Sequence, residues 1–340
     1  MLGLKGSALK LSTQKSLMAK LSIFAAATAL IFALPITAQA EWKIKRLTGK
    51  GSIKTSGALH PAVSCSGPTC FRSKERPFFE EGMPAPNGLP DGKIAQTHRY
   101  KNITQTWYIL PTKRYDHGIL GDTIEAGGLA VKTGSGKVIT FNLPKTQVFE
   151  DRIPRIADLD GDGKAEIITI LSSISKGASI AIYELKNGAL VSKAKTPFIG
   201  RSNRWLNIAG IADFNGDGRL DIAGVWTPHI GGTLKFWTLR GNSLKNIGSM
   251  SDFSNHFIGS REQRLSAIAD VDLNGTLDLT LPSAGRDVLR MVGFVKGRLK
   301  QLASLKLPRQ IDKAIAVTRQ EKYPIFTIGL SDDTSHAVFR

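Results

Sequence analysis

The chain carries 46 Lys and Arg against 28 Asp and Glu over 340 residues, a formal net charge of +18. That balance points to polyanionic neighbours. With no recognisable nucleic-acid module, these would be acidic polysaccharide, lipopolysaccharide or an anionic membrane surface rather than nucleic acid. Solubility and non-specific adhesion account for the charge equally well.

At the N-terminus Lys5, Lys10, Lys15 and Lys20, with no acid among them, precede an apolar run from Leu21 to Leu34, then Pro35 and the small-residue ending Ala38-Gln39-Ala40. This is the pattern of a secretory signal peptide over residues 1–40, cleaved after Ala40. The competing reading is an uncleaved anchor, because the apolar stretch is nearly long enough to span a bilayer, but the Pro and the Ala-x-Ala site oppose it. Initiation at Met18 would give a shorter signal. Cleavage removes those four lysines and no acid, so the mature chain falls from +18 to about +14 and stays basic. It also leaves no transmembrane span, and the expected location is periplasmic or secreted.

Residues 41–95 are rich in Gly, Pro, Ser and charge, with Pro84, Pro86, Asn87-Gly88 and Pro90 close together. They predict an irregular N-terminal extension, not a second core. The chain's two cysteines, Cys65 and Cys70, enclose Ser-Gly-Pro-Thr, and in an oxidising compartment a small disulfide loop is expected. Gly67-Pro68 supplies the tight turn such a ring needs. Haem attachment would require Cys-x-x-Cys-His, which is absent, and no Cys stands at the cleavage site to make a lipoprotein.

From about residue 100, short β-rich runs alternate with Gly- and Asn-containing turns, and no stretch sustains helical periodicity. A repeat sets the architecture. Ile156-Ala-Asp-Leu-Asp-Gly-Asp-Gly-Lys-Ala-Glu166 aligns with Ile211-Ala-Asp-Phe-Asn-Gly-Asp-Gly-Arg-Leu-Asp221 and Ile268-Ala-Asp-Val-Asp-Leu-Asn-Gly-Thr-Leu-Asp278. The starting aspartates, 158, 213 and 270, are 55 and 57 apart, a period that fits propeller blades of several strands each.

The first unit parses as strands over 155–157, 166–171, 179–185 and 189–195, with Asn187-Gly188 as hairpin turn. The second continues over 221–226, 233–239 and 243–250, and the third over 278–281, 288–294 and 298–306. A degenerate unit precedes them at 117–120, 129–132, 138–142 and 146–150. The chain end supplies three strands near 314–317, 323–330 and 336–339, and a strand from the region of Thr106–Leu110 is expected to close that last blade. The expected fold is therefore an all-β propeller over residues 96–340, of four-stranded blades numbering about five, with a range of five to seven.

In each repeat oxygen-bearing side chains fall at positions 1, 3, 5 and 9, with Gly at position 6. Alternate positions around a tight turn converge on one point, and hard oxygen donors at that density select Ca²⁺. The ligand sets would be Asp158, Asp160, Asp162 and Glu166; Asp213, Asn215, Asp217 and Asp221; and Asp270, Asp272, Asn274 and Asp278. Backbone carbonyls of Lys164, Arg219 and Thr276 would complete them. Position 12 holds Thr169, Gly224 or Leu281 where an EF-hand needs a bidentate Glu, and β-rich runs follow, so these are not EF-hands. The bland alternative, Asp/Asn/Gly turns that bind nothing, would concentrate carboxylates without a counter-ion. In the third loop Leu273 replaces the Gly at position 4.

These segments resemble the FG-GAP/VCBS repeats of integrin-alpha-type propellers, and Asp213–Asp221 with Ile211-Ala212 before it matches the bacterial form. The resemblance covers about residues 110–340 and implies calcium bound at blade edges. The Phe-Gly and Gly-Ala-Pro elements that name the family are missing. Calcium held in a β-turn usually clamps that turn, so a structural role is expected for the ion.

If the acidic loops join strands 1 and 2 of a blade, the 2-to-3 and 4-to-1 loops emerge on the opposite face. Those loops carry Arg114 and His117; Arg152 and Arg155; Arg201, Arg204 and Trp205; His229; and His256, Arg261, Glu262 and Arg264. They predict a basic, His-bearing bowl for an anionic ligand, with Arg forks on carboxylate or phosphate. The bland account is that loops are polar and this chain is basic. Asp116, His117, Asp122 and Glu125 also cluster, as acid/base groups or as a degenerate blade loop. Lys132-Thr-Gly-Ser-Gly-Lys-Val138 lacks the spacing of a phosphate loop and reads as a hairpin turn, and no Gly-x-Ser-x-Gly or His-Glu-x-x-His occurs.

The favoured reading is an exported, calcium-stabilised binding or scaffold propeller without catalysis, engaging an anionic ligand or cell-envelope component. The rival is a lyase or hydrolase of acidic carbohydrate, with His117, His229 or His256 as base and Arg261 steadying the anion. That rival needs a His and a carboxylate converging in one cleft, whereas a binding module tolerates a dispersed basic rim. A subunit of an envelope complex would instead show a large exposed apolar patch.

Overall fold

The computed structural model describes residues 41–47, 85–320 and 323–340, with backbone alone at 319 and 320. The signal segment 1–40 and the Cys65–Cys70 pair lie outside the described residues. Among the described residues every regular element is a β-strand, and no helix is long and apolar enough to cross a membrane.

The strands run β1 (Lys43–Arg46), β2 (Ala95–Gln96), β3 (Gln105–Thr112), β4 (Glu125–Lys132), β5 (Val138–Asn142) and β6 (Gln147–Phe149). Three runs of four follow. They are β7 (Arg155–Ala157), β8 (Glu166–Ser173), β9 (Gly177–Lys186) and β10 (Ala189–Lys195); β11 (Leu206–Ala212), β12 (Asp221–Trp226), β13 (Thr233–Arg240) and β14 (Ser243–Ser251); and β15 (Ala267–Ala269), β16 (Asp278–Pro282), β17 (Val288–Val295) and β18 (Arg298–Lys306). The chain ends in β19 (Ala316–Gln320), β20 (Tyr323–Gly329) and β21 (Ser335–Phe339).

Strands β11–β14 and β15–β18 each form a four-stranded antiparallel sheet in chain order. A third such sheet has the order β1-β21-β20-β19, with Lys43 opposite Phe339 and Arg46 opposite His336. The remaining strands make one nine-stranded sheet in which β2–β5 and β7–β10 are joined by β6.

Two expectations about pairing are corrected here. The last sheet is completed by β1, from the extension, whereas Thr106–Leu110 lies in β3 and pairs with β4. In the degenerate unit, residues 117–120 are loop and β3 takes their place. Residues 147–149 leave that unit and pair mainly with β8, from Gln147 opposite Ser173 to Phe149 opposite Leu171. Both features join segments far apart in sequence, so local pattern does not specify them.

Burial explains the strand sequences. The strands β8 (EIITILSS) and β12 (DIAGVW) are buried at every position and read as nearly continuous apolar runs, because neighbouring sheets cover both of their faces. The outer strands β14 and β18 show alternate or patchy exposure and carry the Lys, Asn, Gln and Ser. Cores lie between sheets: Ile180 and Ile182 of β9 pack with Ile208 and Ile222, and Phe236 meets Phe294 edge-on at 5.3 Å. Each outer strand of the three repeat units carries one bulged residue, Lys193 in β10, Ile247 in β14 and Leu302 in β18.

Candidate metal loops and the opposite loop face

The three acidic loops fold by one hydrogen-bond scheme. The Asp at position 1 accepts backbone N–H groups from position 6: Gly163 to Asp158 at 3.0 Å, Gly218 to Asp213 at 2.8 Å and Gly275 to Asp270 at 2.9 Å. The position 5 side chain accepts the amide of position 7, from Lys164, Arg219 and Thr276 at 2.8, 3.0 and 2.7 Å. The position 9 acid reaches back to the amide of position 2, at Leu159, Phe214 and Val271. Position 4 has positive φ in all three, 78° at Gly161, 75° at Gly216 and 64° at Leu273. The third loop thus holds a leucine in the left-handed region, a strained choice for a branched side chain.

Carboxylate oxygens of Asp158, Asp160 and Glu166 lie within 4.8 Å of one another, as do those of Asp270, Asp272 and Asp278. Both triads could hold a metal ion. In the second loop Asn215 stands at position 3. Burial pushes the position 9 carboxyls up, to about 7 for Glu166 and Asp221 and about 8 for Asp278. In Asp221 and Asp278 the Oδ1 atom is buried and accepts no hydrogen bond. An all-oxygen donor set with an orphaned buried oxygen fits a hard divalent cation in these two loops.

The 2-to-3 and 4-to-1 loops meet one another on a separate face. Gly259 donates its amide to Ile119 O at 3.0 Å, Asn203 to the Tyr115 hydroxyl at 2.9 Å, and Ser254 to Pro282 O at 3.1 Å. Because β6 bridges two sheets, Glu150 just beyond it is drawn into this face and fully buried. There Ser172 Oγ donates to Glu150 Oε2 at 2.5 Å, and His117 Nδ1 contacts Glu150 Oε1. Burial raises the Glu150 carboxyl, and His117 and Ser172 pull it back. Trp205 donates its indole N–H to Glu150 O at 2.9 Å, lies parallel to His229 at a ring distance of 6.2 Å and meets His256 edge-on at 4.7 Å. His256 Nε2 lies 2.9 Å from Ser260 O and must donate to it, so its Nδ1 accepts from His229 Nε2 at 3.0 Å. Burial holds both imidazoles down, to about 4 for His229 and about 3 for His256, leaving them neutral at pH 7.

Most of the arginines read from the sequence as ligand forks are engaged within the protein. Arg155 is wholly buried and paired with Asp151, which also takes Tyr108 OH at 2.9 Å and Gln263 Nε2 at 3.0 Å. Arg261 binds Asp91 at 3.1 Å and Asp122 at 2.9 Å, Arg152 binds Asp91 at 2.8 Å, and Arg264 binds Glu262 at 2.7 Å. The Arg114 guanidinium donates to Gln147 O. Trp205 and His256 are buried, so they shape the face without presenting themselves to a ligand. Arg204 donates only to Asn203 O, at 2.8 Å.

Two groups here, Arg286 and Asp91, escaped the sequence reading, whereas Glu125 belongs to the acidic cluster read there. Arg286 makes no salt bridge among the described residues, although Asp312 acts on it through space, and it lies over the Phe257 ring at 4.9 Å, near enough to His229 and His256 to disfavour their protonation. Asp91 sits in the extension. Glu125 is buried, and its carboxyl is pushed up to about 10 by burial and by Glu150. Glu125 shares a small solvent-connected pocket with Asp91, Asp122, Asp151 and Arg152. Exposed Ile230, Phe257 and Ile258 lie on the same face.

The four-stranded antiparallel sheets are consistent with propeller blades, with acidic loops between the first two strands of the repeat units. Residues 158–224 are an FG-GAP-like repeat. Among solved structures the chain is similar to the rhamnogalacturonan lyase YesW, with 15% identity, 74% of this chain and 51% of that one covered, and a TM-score of 0.49. It is also similar to a Bacillus licheniformis rhamnogalacturonan lyase PL11, with 13% identity, 73% and 49% covered and a TM-score of 0.43. For the exotype rhamnogalacturonan lyase YesX the figures are 13%, 73% and 56%, with a TM-score of 0.41. The chain spans about half the length of these structures. No curated protein matches it.

Proposed function

We propose that the chain is an exported, calcium-clamped propeller of five blades that binds an acidic saccharide on the loop face opposite its acidic loops. The count of five takes β2–β5 and β7–β10 as separate blades joined by β6, beside the three four-stranded sheets. The observation that carries the binding reading is the division among the arginines. Arg152, Arg155, Arg261 and Arg264 are consumed by carboxylates, whereas among the described residues Arg204 and Arg286 make no salt bridge; Arg286 lies beside the histidine cluster and Arg204 directly precedes Trp205. Unpaired guanidinium forks suit carboxylate or sulfate groups, and Phe257, 45% exposed, offers a flat apolar surface for a sugar ring.

Isothermal titration with polygalacturonate at low salt tests this reading. Arg204→Ala with Arg286→Ala is expected to weaken binding at least about tenfold, the scale of one lost charge-assisted contact. A charge-matched control at exposed Lys137 and Lys186, in hairpin turns on the other side, should bind nearly as well as the wild type. Equal affinity in the arginine variant would contradict the proposal.

The His117–Glu150 contact favours a second reading, an acid–base enzyme acting on the same polymer. Glu150 orients the imidazole through Nδ1, and Nε2 is left to take or give a proton. New chain ends released by the wild type and lost in His117→Ala would support that reading. Polymer of unchanged length leaves the binding module.

A further inference from the structure

The loop from Asp158 to Glu166 differs from its two siblings because an ammonium already stands among its carboxylates. Lys193 Nζ lies 2.6 Å from Asp160 Oδ2, 2.9 Å from Glu166 Oε1 and 3.0 Å from Glu184 Oε2, and the lysine side chain is 8% exposed. Asp160 and Glu166 are two of the three acids in that loop's triad.

The lysine is the bulged residue of β10, and register shows that the position is equivalent in all three units. The bulge falls two strands over from the residue after position 9, beside its third-strand partner: Ile167 pairs with Tyr183, Ile222 with Trp237, and Leu279 with Val292, and each bulge borders the residue paired with that partner. Ile247 and Leu302 occupy the bulge in the other two units, so no cation reaches those loops from the outer strand. The position 9 acids differ accordingly. Glu166 has both oxygens satisfied, by Leu159 N and Lys193, whereas Asp221 and Asp278 each keep a buried oxygen with no hydrogen bond. Arg240 does pair with Asp217 of the second loop at 2.5 Å, but it touches only the position 5 carboxylate and remains exposed.

We propose that Lys193 is a tethered counter-ion that takes the place of a divalent cation in the first loop, so that the chain binds calcium at two loops, Asp213–Asp221 and Asp270–Asp278. An ion entering the first loop would have to displace the ammonium from two of its ligands or share them with a charge of the same sign. A side chain already fixed in place competes at high effective concentration, and the aliphatic residues at 247 and 302 offer no such competition. The inference rests on the calcium reading of the loops given above.

Counting calcium bound to the folded full chain, by equilibrium dialysis against calcium alone, tests it. The wild type is expected to hold two ions, Asp158→Ala still two, Asp270→Ala one, and Lys193→Met three. A wild type with three ions that falls to two in Asp158→Ala would overturn the role of Lys193 while leaving the calcium reading intact. A wild type with none would overturn the calcium reading and this inference with it. A folded Lys193→Met that stays at two would also overturn the counter-ion role. If Lys193→Met does not fold, Lys193→Gln and the Asp158→Ala count decide the matter.

Discussion

Excess EGTA at pH 8 is expected to lower the unfolding midpoint by about 10–20 °C, with a smaller loss at pH 6.5. An ion at a hundred times its dissociation constant stabilises by about 2.7 kcal/mol per site, so two loops supply about 5 kcal/mol, and each kcal/mol moves the midpoint of a domain this size by about 2–4 °C. Burial pushes Asp221 up to about 7 and Asp278 up to about 8, against an unfolded value of about 3.9. Between those values the metal-free native chain binds more protons than the unfolded chain. The stability contributed by these two carboxyls is therefore fully present below about pH 4 and is lost as pH rises through 7 to 8. His229 and His256, held low by burial, act in the opposite sense. That opposition ends above about pH 6.5, where the unfolded imidazole is neutral too. Calcium requires the deprotonated carboxylates, so its stabilising shift should widen from pH 6.5 to 8. Differential scanning calorimetry with and without EGTA at the two pH values reads this directly, and an equal shift at both would contradict it.

Asp151→Ala is expected to cost about 3–5 kcal/mol, the scale for breaking a buried ion pair. The partner Arg155 is wholly buried, and among the described residues its Nε and Nη2 have no hydrogen-bond partner and Asp151 is the one carboxylate paired with it. Asp151 also ties Tyr108 of β3 and Gln263 of the 252–266 loop to the same point. Tyr108→Phe removes a single hydrogen bond to a charge and should cost only about 1–3 kcal/mol. Urea unfolding of both variants tests the ranking. An Asp151→Ala variant no less stable than Tyr108→Phe would show that Arg155 finds solvent.

The repeat units were legible in the sequence because their determinants are local. The Asp/Gly spacing of 158–166 specifies a turn, and the β-rich runs after it specify strands, so the order of β7–β18 follows from short windows. Closure by β1 and the bridge by β6 were not legible, since each pairs residues that no local pattern links. The loop face was half legible. Parity grouped His117, His229 and His256 on one side, and in the structure His229 and His256 are in contact, while local reading also pointed to a surplus of Arg in those loops. Whether an arginine is free depends on which acids share its loop cluster, and Asp91, Asp122 and Asp151 come from three different segments. Lys193 gave no sequence signal, because a lysine in an outer strand is ordinarily solvated and only the bulge register aims it at Glu166.

If calcium and ligand occupy opposite loop faces, hydrogen–deuterium exchange of the calcium-loaded protein with and without a galacturonate oligosaccharide will separate the two. Protection is expected in residues 113–124, 196–205, 227–232, 252–266 and 283–287, with no change in 158–166, 213–221 and 270–278. Protection confined to the acidic loops would contradict this arrangement.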